Sequence, residues 1–271
     1  MIKLIQNFFK KSKNKVLVQV CDKNYLAHAK YLFANAKKHG KWDGDYCLIA
    51  NDIPPKDLKT FKKAGIKIFH IEKSHTYYSK LNVFNKYFKK WDYVLYMDQD
   101  IVIFNNIATE KPPETDTLIA DIDGPFQIQQ YFGHGWPPER WGAAIADLLP
   151  KYPFIQNLGY NAGFFYFNTS LIKSDTLINL NKLKDEIMPI NTHSGIGSDQ
   201  PIINLYFYNH ISSDSFCSFW RTPEDRIKKA IHFCHGEAPW KNDTYSNILK
   251  KSYKDHYLEC LLSFKKVFDC E

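Results

Sequence analysis

Several signals are missing from this 271-residue chain, and each absence removes a class of protein. None of its six cysteines forms a Cys-x-x-Cys pair, so neither a disulfide framework nor a paired-cysteine zinc module is indicated, and a reducing compartment is expected. No apolar run approaches the ~20 residues needed to span a bilayer. The opening Met1–Lys10 stretch is too short and too basic at its end for a secretory signal. It has the pattern of a weak interfacial helix, with Ile2, Ile5 and Phe9 on one face, or of a frayed terminus. No Gly-x-Gly-x-x-Gly follows the first strand-like run and no Gly-x-x-x-x-Gly-Lys occurs, which argues against a dinucleotide dehydrogenase and a P-loop enzyme. Internal repeats and low-complexity linkers are also lacking.

What is present suits one large α/β domain. Hydrophobic residues make up 44% of the chain and aromatics 16%, ample for a core. The net charge of +7 is modest, and points to an anionic ligand or membrane surface rather than to nucleic acid. Much of it is local: Lys3, Lys10, Lys11, Lys13 and Lys15 crowd the start, and Lys250, Lys251, Lys254, Lys265 and Lys266 the end. The expected organisation is a basic segment over 1–15, a main domain over 16–240 and a helical tail over 241–271.

Strand-like runs alternate with helical ones through the first hundred residues. Strands are expected at Val16–Cys21, Asp45–Ala50, Ile66–Ile71 and Val94–Met97. Helices are expected at Asn24–His39, Pro54–Ala64 and Ser79–Phe88. This β-α-β alternation predicts a mostly parallel sheet flanked by helices, with a ligand at its carboxyl edge. Residues 111–154 are rich in proline, glycine and aromatics, including Gly133–Pro138, and suit either a sugar-binding cleft or an irregular lid. The tail from Tyr245 to Phe268 is expected to be helical.

The strongest chemical signal is Asp98-Gln99-Asp100, which ends one apolar run and precedes another. On extended backbone, alternate side chains point to one side. Two carboxylates there repel unless a cation lies between them, and Mg²⁺ or Mn²⁺ takes such oxygens together with phosphate oxygens. Asp199, ahead of Pro201 in a helix opening, sits near a positive helix terminus.

Three further segments follow in order: Asn161-Ala162-Gly163-Phe164, Ser198-Asp199-Gln200, and His232-Phe233-Cys234 leading to Pro239-Trp240. With Asp98-Gln99-Asp100 they resemble the retaining glycosyltransferases of the GT-A fold, closest to family 8, over roughly Val16 to Trp240. The resemblance implies a nucleotide-sugar donor, usually UDP-linked, and Mn²⁺, with Mg²⁺ as substitute, bridging its diphosphate. It implies that Asp98, Asp100 and His232 are the metal ligands. Gln99 and Lys80 would lie by the diphosphate, Tyr25 would stack on uracil and Asp22 would accept from the base. Asp123 would approach the donor sugar or the acceptor, Asn161, Ala162 and Gly163 the donor sugar, and Asp199 and Gln200 the anomeric centre.

The pattern is broken at Ala238, where the family commonly has a lysine; His235 or Lys241 would supply the missing charge, or the donor differs. A glycan or glycolipid acceptor is implied, and the expected location is the cytoplasm or its membrane surface, through the basic termini. Asp98-x-Asp100 also satisfies the nucleophile motif of haloacid-dehalogenase-like phosphohydrolases, though that motif normally opens the first strand. A carbohydrate-binding protein on a degenerate transferase scaffold is the non-catalytic alternative.

Overall fold

The computed structural model describes residues 14–74, 76–110, 113–132, 147–191, 199–213, 217–219, 222–233 and 238–270. The basic start through Lys13, the Gly133–Pro138 segment, Gly195–Ser198 and Cys234–His235 lie outside the described residues.

The first half builds as β1 (Lys15–Cys21), α1 (Leu26–Lys38), β2 (Asp45–Asn51), α2 (Lys59–Lys63), β3 (Lys67–Ile71), α3 (Thr76–Ser79) and β4 (Tyr93–Met97). β5 (Ile101–Ile103), β6 (Leu118–Gln127), β7 (Leu158–Asn168) and α4 (Thr176–Asn191) follow. The chain then forms α5 (Gln200–Phe207), β8 (Ile211–Ser212), β9 (Cys217–Phe219), β10 (Ala230–His232), β11 (Tyr245–Ser246), β12 (Lys251–Ser252) and α6 (Tyr253–Val267).

Seven strands form the main sheet in the order β3-β2-β1-β4-β7-β6-β8. The β3-β2-β1-β4 half is parallel, as the alternation predicts. β7 then runs antiparallel to both β4 and β6. A small sheet, β5-β10-β9, sits beside the carboxyl end of β4.

Side-chain alternation sorts the core. Leu17, Leu48, Leu95 and Met97 face α1 and α6, while Val16, Val18, Val94 and Tyr96 face Phe84, Phe165 and Phe167. α6 packs on α1 through Tyr257 against Tyr31, with ring centroids 4.7 Å apart, and Phe264 lies 5.7 Å from Phe61 of α2.

Two expected helices differ from the reading of the sequence. Ser79–Phe88 is not continuous: it is α3 followed by 3₁₀ turns at Lys80–Phe84 and Lys86–Lys90. Asn85 causes the break, with extended backbone and a side-chain oxygen that accepts from Tyr87 N at 2.9 Å. The tail helix begins at Tyr253 rather than Tyr245, because β11 and β12 first form a hairpin. Ser252 caps the helix, its Oγ accepting from Asp255 N at 3.1 Å. The helix before β3 stops as foreseen, at Gly65 with φ +73°.

Candidate active site

The acidic segment converges through a turn, not through extended backbone. Asp98 N donates to Gly163 O at 2.7 Å, which ties the end of β4 to β7. Ile101 N then donates to Asp98 O at 3.3 Å and closes a tight turn over Asp98-Gln99-Asp100. Gln99 points back into the sheet, its Nε2 donating to Val20 O. β5 leaves this turn and pairs antiparallel with β10, placing Ile101 opposite His232. Phe233 N donates to Asp100 O at 3.1 Å. The second sheet thus delivers His232 to the acidic turn from far along the sequence, a long-range closure made by β-pairing.

One ligand atom each from Asp98, Asp100 and His232 lies within 4.8 Å of the others. His232 Nε2 stands 3.2 Å from Asp100 Oδ1, which is buried and makes no aligned hydrogen bond. Burial pushes the His232 imidazole down, but Asp100 outweighs it and the group sits above the ordinary histidine range. Two carboxylates and an imidazole in this spacing fit a divalent cation that takes oxygen and nitrogen donors. The ring has room only because residue 163 is glycine: an added Cβ there would stand 2.1 Å from His232 Cε1.

Lys80 joins this centre to Asp199. Its Nζ lies 3.1 Å from Asp98 Oδ2 and 2.7 Å from Asp199 Oδ2, and donates to Ala162 O at 3.1 Å. Burial would pull Lys80 down, yet the two carboxylates raise it above the usual lysine value, so it is a fixed cation. Burial pushes the Asp199 carboxyl up from the carboxylate range, and Lys80 opposes that shift. The counter-charge of Asp199 is therefore Lys80, since its side chain makes no capping bond to α5.

A second group of side chains lies along β6, β7 and α5. Gln200 Nε2 donates to Asp123 Oδ2 at 2.7 Å, and Ala162 N donates to Gln200 Oε1 at 3.1 Å. Asn161 Nδ2 reaches Asp123 Oδ1 at 3.3 Å, while its Oδ1 accepts from Gly163 N at 2.7 Å. Register shifts in β6 on either side of Ile122 turn the buried Asp123 toward this network. Asp123, Asn161, Ala162, Gly163, Asp199 and Gln200 are thus brought together beside the acidic turn.

The remaining sequence-predicted residues lie at the open edge of β1 and α1. Asp22 accepts from Asn24 N at 2.8 Å and caps the turn that carries Tyr25, which is 40% exposed. Lys241 is exposed in a turn after the buried Ala238, and His235 lies outside the described residues.

Reading by motif passes over three residues. Tyr96 OH donates to Asp98 Oδ1; both lie two residues apart at a strand end, so period two could have found it. Tyr131 lies buried beside Asp123 and Gln200, and nothing in its local sequence signals that. His28 stacks on Trp240 with centroids 3.9 Å apart and bonds Tyr257 OH at 2.8 Å, a contact between distant segments.

No family model matches this chain. Among curated proteins it is similar to galactinol synthase 5 of Arabidopsis thaliana, 26% identical over 227 residues, covering 72% of this chain and 62% of that protein. It is also similar to galactinol synthase 2 of Solanum lycopersicum, 27% identical over 184 residues, covering 60% of this chain and 49% of that protein. The chain thus spans between about half and three-fifths of the length of these relatives. The galactosyltransferase LgtC, solved with donor and acceptor sugar analogues, superposes with a TM-score of 0.62 at 14% identity, covering 92% of this chain and 95% of that one. The glycosyltransferase GlyE of Streptococcus pneumoniae TIGR4 superposes with a TM-score of 0.62 at 17% identity, covering 95% of this chain and 62% of that one. Superposition and the ordered motifs agree that this chain has the GT-A fold, and its sequence is similar to that of the galactinol synthases.

Proposed function

We propose that this protein is a metal-dependent, retaining glycosyltransferase that moves a hexose or related sugar from a UDP-sugar to a glycan or glycolipid. The observation that carries the reading is the convergence of Asp98, Asp100 and His232 on one point, with Lys80 linking that point to Asp199. Asp98, Asp100 and His232 would hold Mn²⁺ or Mg²⁺, which, when bound, supplies positive charge to the donor diphosphate and its departing oxygens.

The chain's own residues divide the remaining work. Lys80 holds Asp98 in place and keeps a positive charge beside the leaving group's site. Tyr25 and Asp22 receive the base at the open edge. Asp123, Asn161 and the Ala162–Gly163 backbone shape the sugar subsite, and Gln200 locks Asp123 to β7. Asp199 faces the anomeric carbon and stabilises positive charge as the C1–O bond to phosphate breaks. The acceptor oxygen then bonds to C1 on the same face, and its proton passes to the departing phosphate oxygen. No glutamate is among the described residues gathered at this site, which favours this route over a glycosyl-enzyme intermediate.

A phosphohydrolase would need Asp98 as nucleophile. Its two oxygens are instead engaged by Tyr96 and Lys80, an anchoring arrangement. Among the described residues no helix is long and apolar enough to cross a membrane. On α6, Leu258 is 42% and Leu262 81% exposed, and Lys265 shares their face, which supports docking at an anionic membrane carrying the acceptor. Calorimetric titration with UDP tests the donor site: binding should require Mn²⁺ or Mg²⁺, and equal affinity in excess chelator would overturn the reading.

A further inference from the structure

A second cluster of ligating side chains lies apart from the acidic turn, between the carboxyl end of α1 and the inner face of α6. It comprises His39 at the end of α1, and His256 and Cys260 one helical turn apart on α6. One ligand atom from each lies within 4.8 Å of the others. His256 is 1% exposed and Cys260 fully buried, while His39 is half-buried and opens the cluster to solvent.

The packing of this cluster is incomplete as a plain protein core. His39 Nε2 is buried and has no hydrogen-bond partner among the described residues. Such an orphaned group destabilises the folded state unless something satisfies it. His256 Nε2 and Cys260 Sγ are 3.7 Å apart. That is close to the ~3.6 Å nitrogen–sulfur edge of a zinc tetrahedron with bonds of about 2.0–2.1 Å and 2.3 Å. His256 Nε2 also accepts from Asn35 Nδ2 at 2.9 Å. Asn35 is held independently, its Oδ1 accepting from Ile103 N at 2.7 Å and its Nδ2 donating to Ile103 O at 3.2 Å. It would keep those bonds if an ion took the imidazole lone pair.

The charged surroundings are net positive, so a bound cation would depend on the cysteine thiolate for its counter-charge. Burial and the neighbouring His39 hold His256 down at about 3, so it presents a neutral imidazole at physiological pH. Burial pushes the Cys260 thiol up to about 12, so it stays protonated until a metal displaces the proton. Lys38, Lys41 and Lys251 surround the cluster, and Glu259 pairs with both Lys38 and Lys251.

We propose that His39, His256 and Cys260 form a Zn²⁺ site that ties α1 to α6, with solvent as the fourth ligand of an open site. Binding breaks the Cys260 S–H bond, forms the S–Zn bond and releases the proton to solvent. A soft thiolate with two imidazoles selects Zn²⁺ over the harder ions suited to the acidic turn. β5 joins the two places, running from the acidic turn at Ile101 to the Asn35 clamp at Ile103. The tie thus braces the strand that positions His232.

Cobalt titration of the full, chelator-stripped chain tests this directly. The probe is Co²⁺, followed by thiolate-to-cobalt charge-transfer absorption, which a site of carboxylates and imidazole cannot give. The band should appear in the wild type and persist in Asp98→Ala/Asp100→Ala, which lacks the first site. It should vanish in Cys260→Ser, and His39→Ala should weaken Co²⁺ at least about 10-fold, the floor set by losing even an outer-shell partner. Zn²⁺ should also raise the melting temperature of Asp98→Ala/Asp100→Ala but not of its Cys260→Ser derivative. Absence of the band in the wild type, or an unchanged band in Cys260→Ser, would overturn the site. Should Cys260→Ser fail to fold, an unchanged cobalt affinity in His39→Ala would overturn it equally.

Discussion

Gly163 and His232 compete for the same space, since a Cβ on Gly163 would stand 2.1 Å from His232 Cε1 and 2.6 Å from its Nε2. The ring is itself paired to β5 through its backbone and cannot retreat without loosening that sheet. Gly163→Ala should therefore leave the main sheet intact, shift His232 and weaken divalent-cation binding by on the order of 10-fold or more. Calorimetry with Mn²⁺ and circular dichroism on the same preparation check this. Unchanged affinity would show that His232 does not need the space.

Lys80 is the cation between the partly buried Asp98, at 3.1 Å, and the buried Asp199, at 2.7 Å. Lys80→Met leaves both uncompensated and should lower unfolding stability by about 3–5 kcal/mol, the range for breaking one side of a buried pair. Urea unfolding measures it. A loss below about 1 kcal/mol would mean that solvent screens the pair, as at an exposed surface.

Much of this centre was legible before the fold. Asp98 and Asp100 stand out because carboxylates closing an apolar strand need a cation, and the parallel half-sheet follows from the helix–strand alternation. The turn that makes them converge was not legible, because an extended run and a tight turn place alternate residues alike in sequence. His232 was found by resemblance alone; the pairing of β10 with β5 that brings it in is long-range. The break at Asn85 was missed because the apolar spacing around it still fits a helix. The His39–His256–Cys260 cluster escaped notice because only the docking of α6 on α1 unites it.

Asp199→Asn separates catalysis from architecture. A charge facing the anomeric carbon should make kcat fall by on the order of 10²-fold with donor affinity little changed. Melting temperature, UDP-sugar affinity and kcat are to be measured together. Normal turnover with a lowered melting point would assign Asp199 a structural role with Lys80.

His28 gives a pH prediction. Burial holds its imidazole below the ordinary value of 6.5; Asp100 pulls it up and Lys241 pushes it down. Because the folded-state value is lowered, the unfolded chain takes the proton first. The stability from neutral His28 is present above about pH 6.5 and is lost as pH falls through the folded value. Trp240, stacked on His28 at 3.9 Å, reports the change. Its fluorescence, isolated by difference from Trp240→Phe, should change only below about pH 6.5. A flat signal down to about pH 4 would contradict exposure of this ring to protonation.

Slow hydrolysis of nucleotide-sugars tests the central claim most directly, because it reports the donor without knowledge of the acceptor. The wild-type protein with Mn²⁺ should release sugar from a UDP-sugar, with the α configuration in the first-formed product by proton NMR. Asp98→Ala and Asp100→Ala should each abolish release while remaining folded. Hydrolysis that continues undiminished in excess chelator, or in either folded variant, would contradict the assignment of a metal-dependent donor site to Asp98, Asp100 and His232.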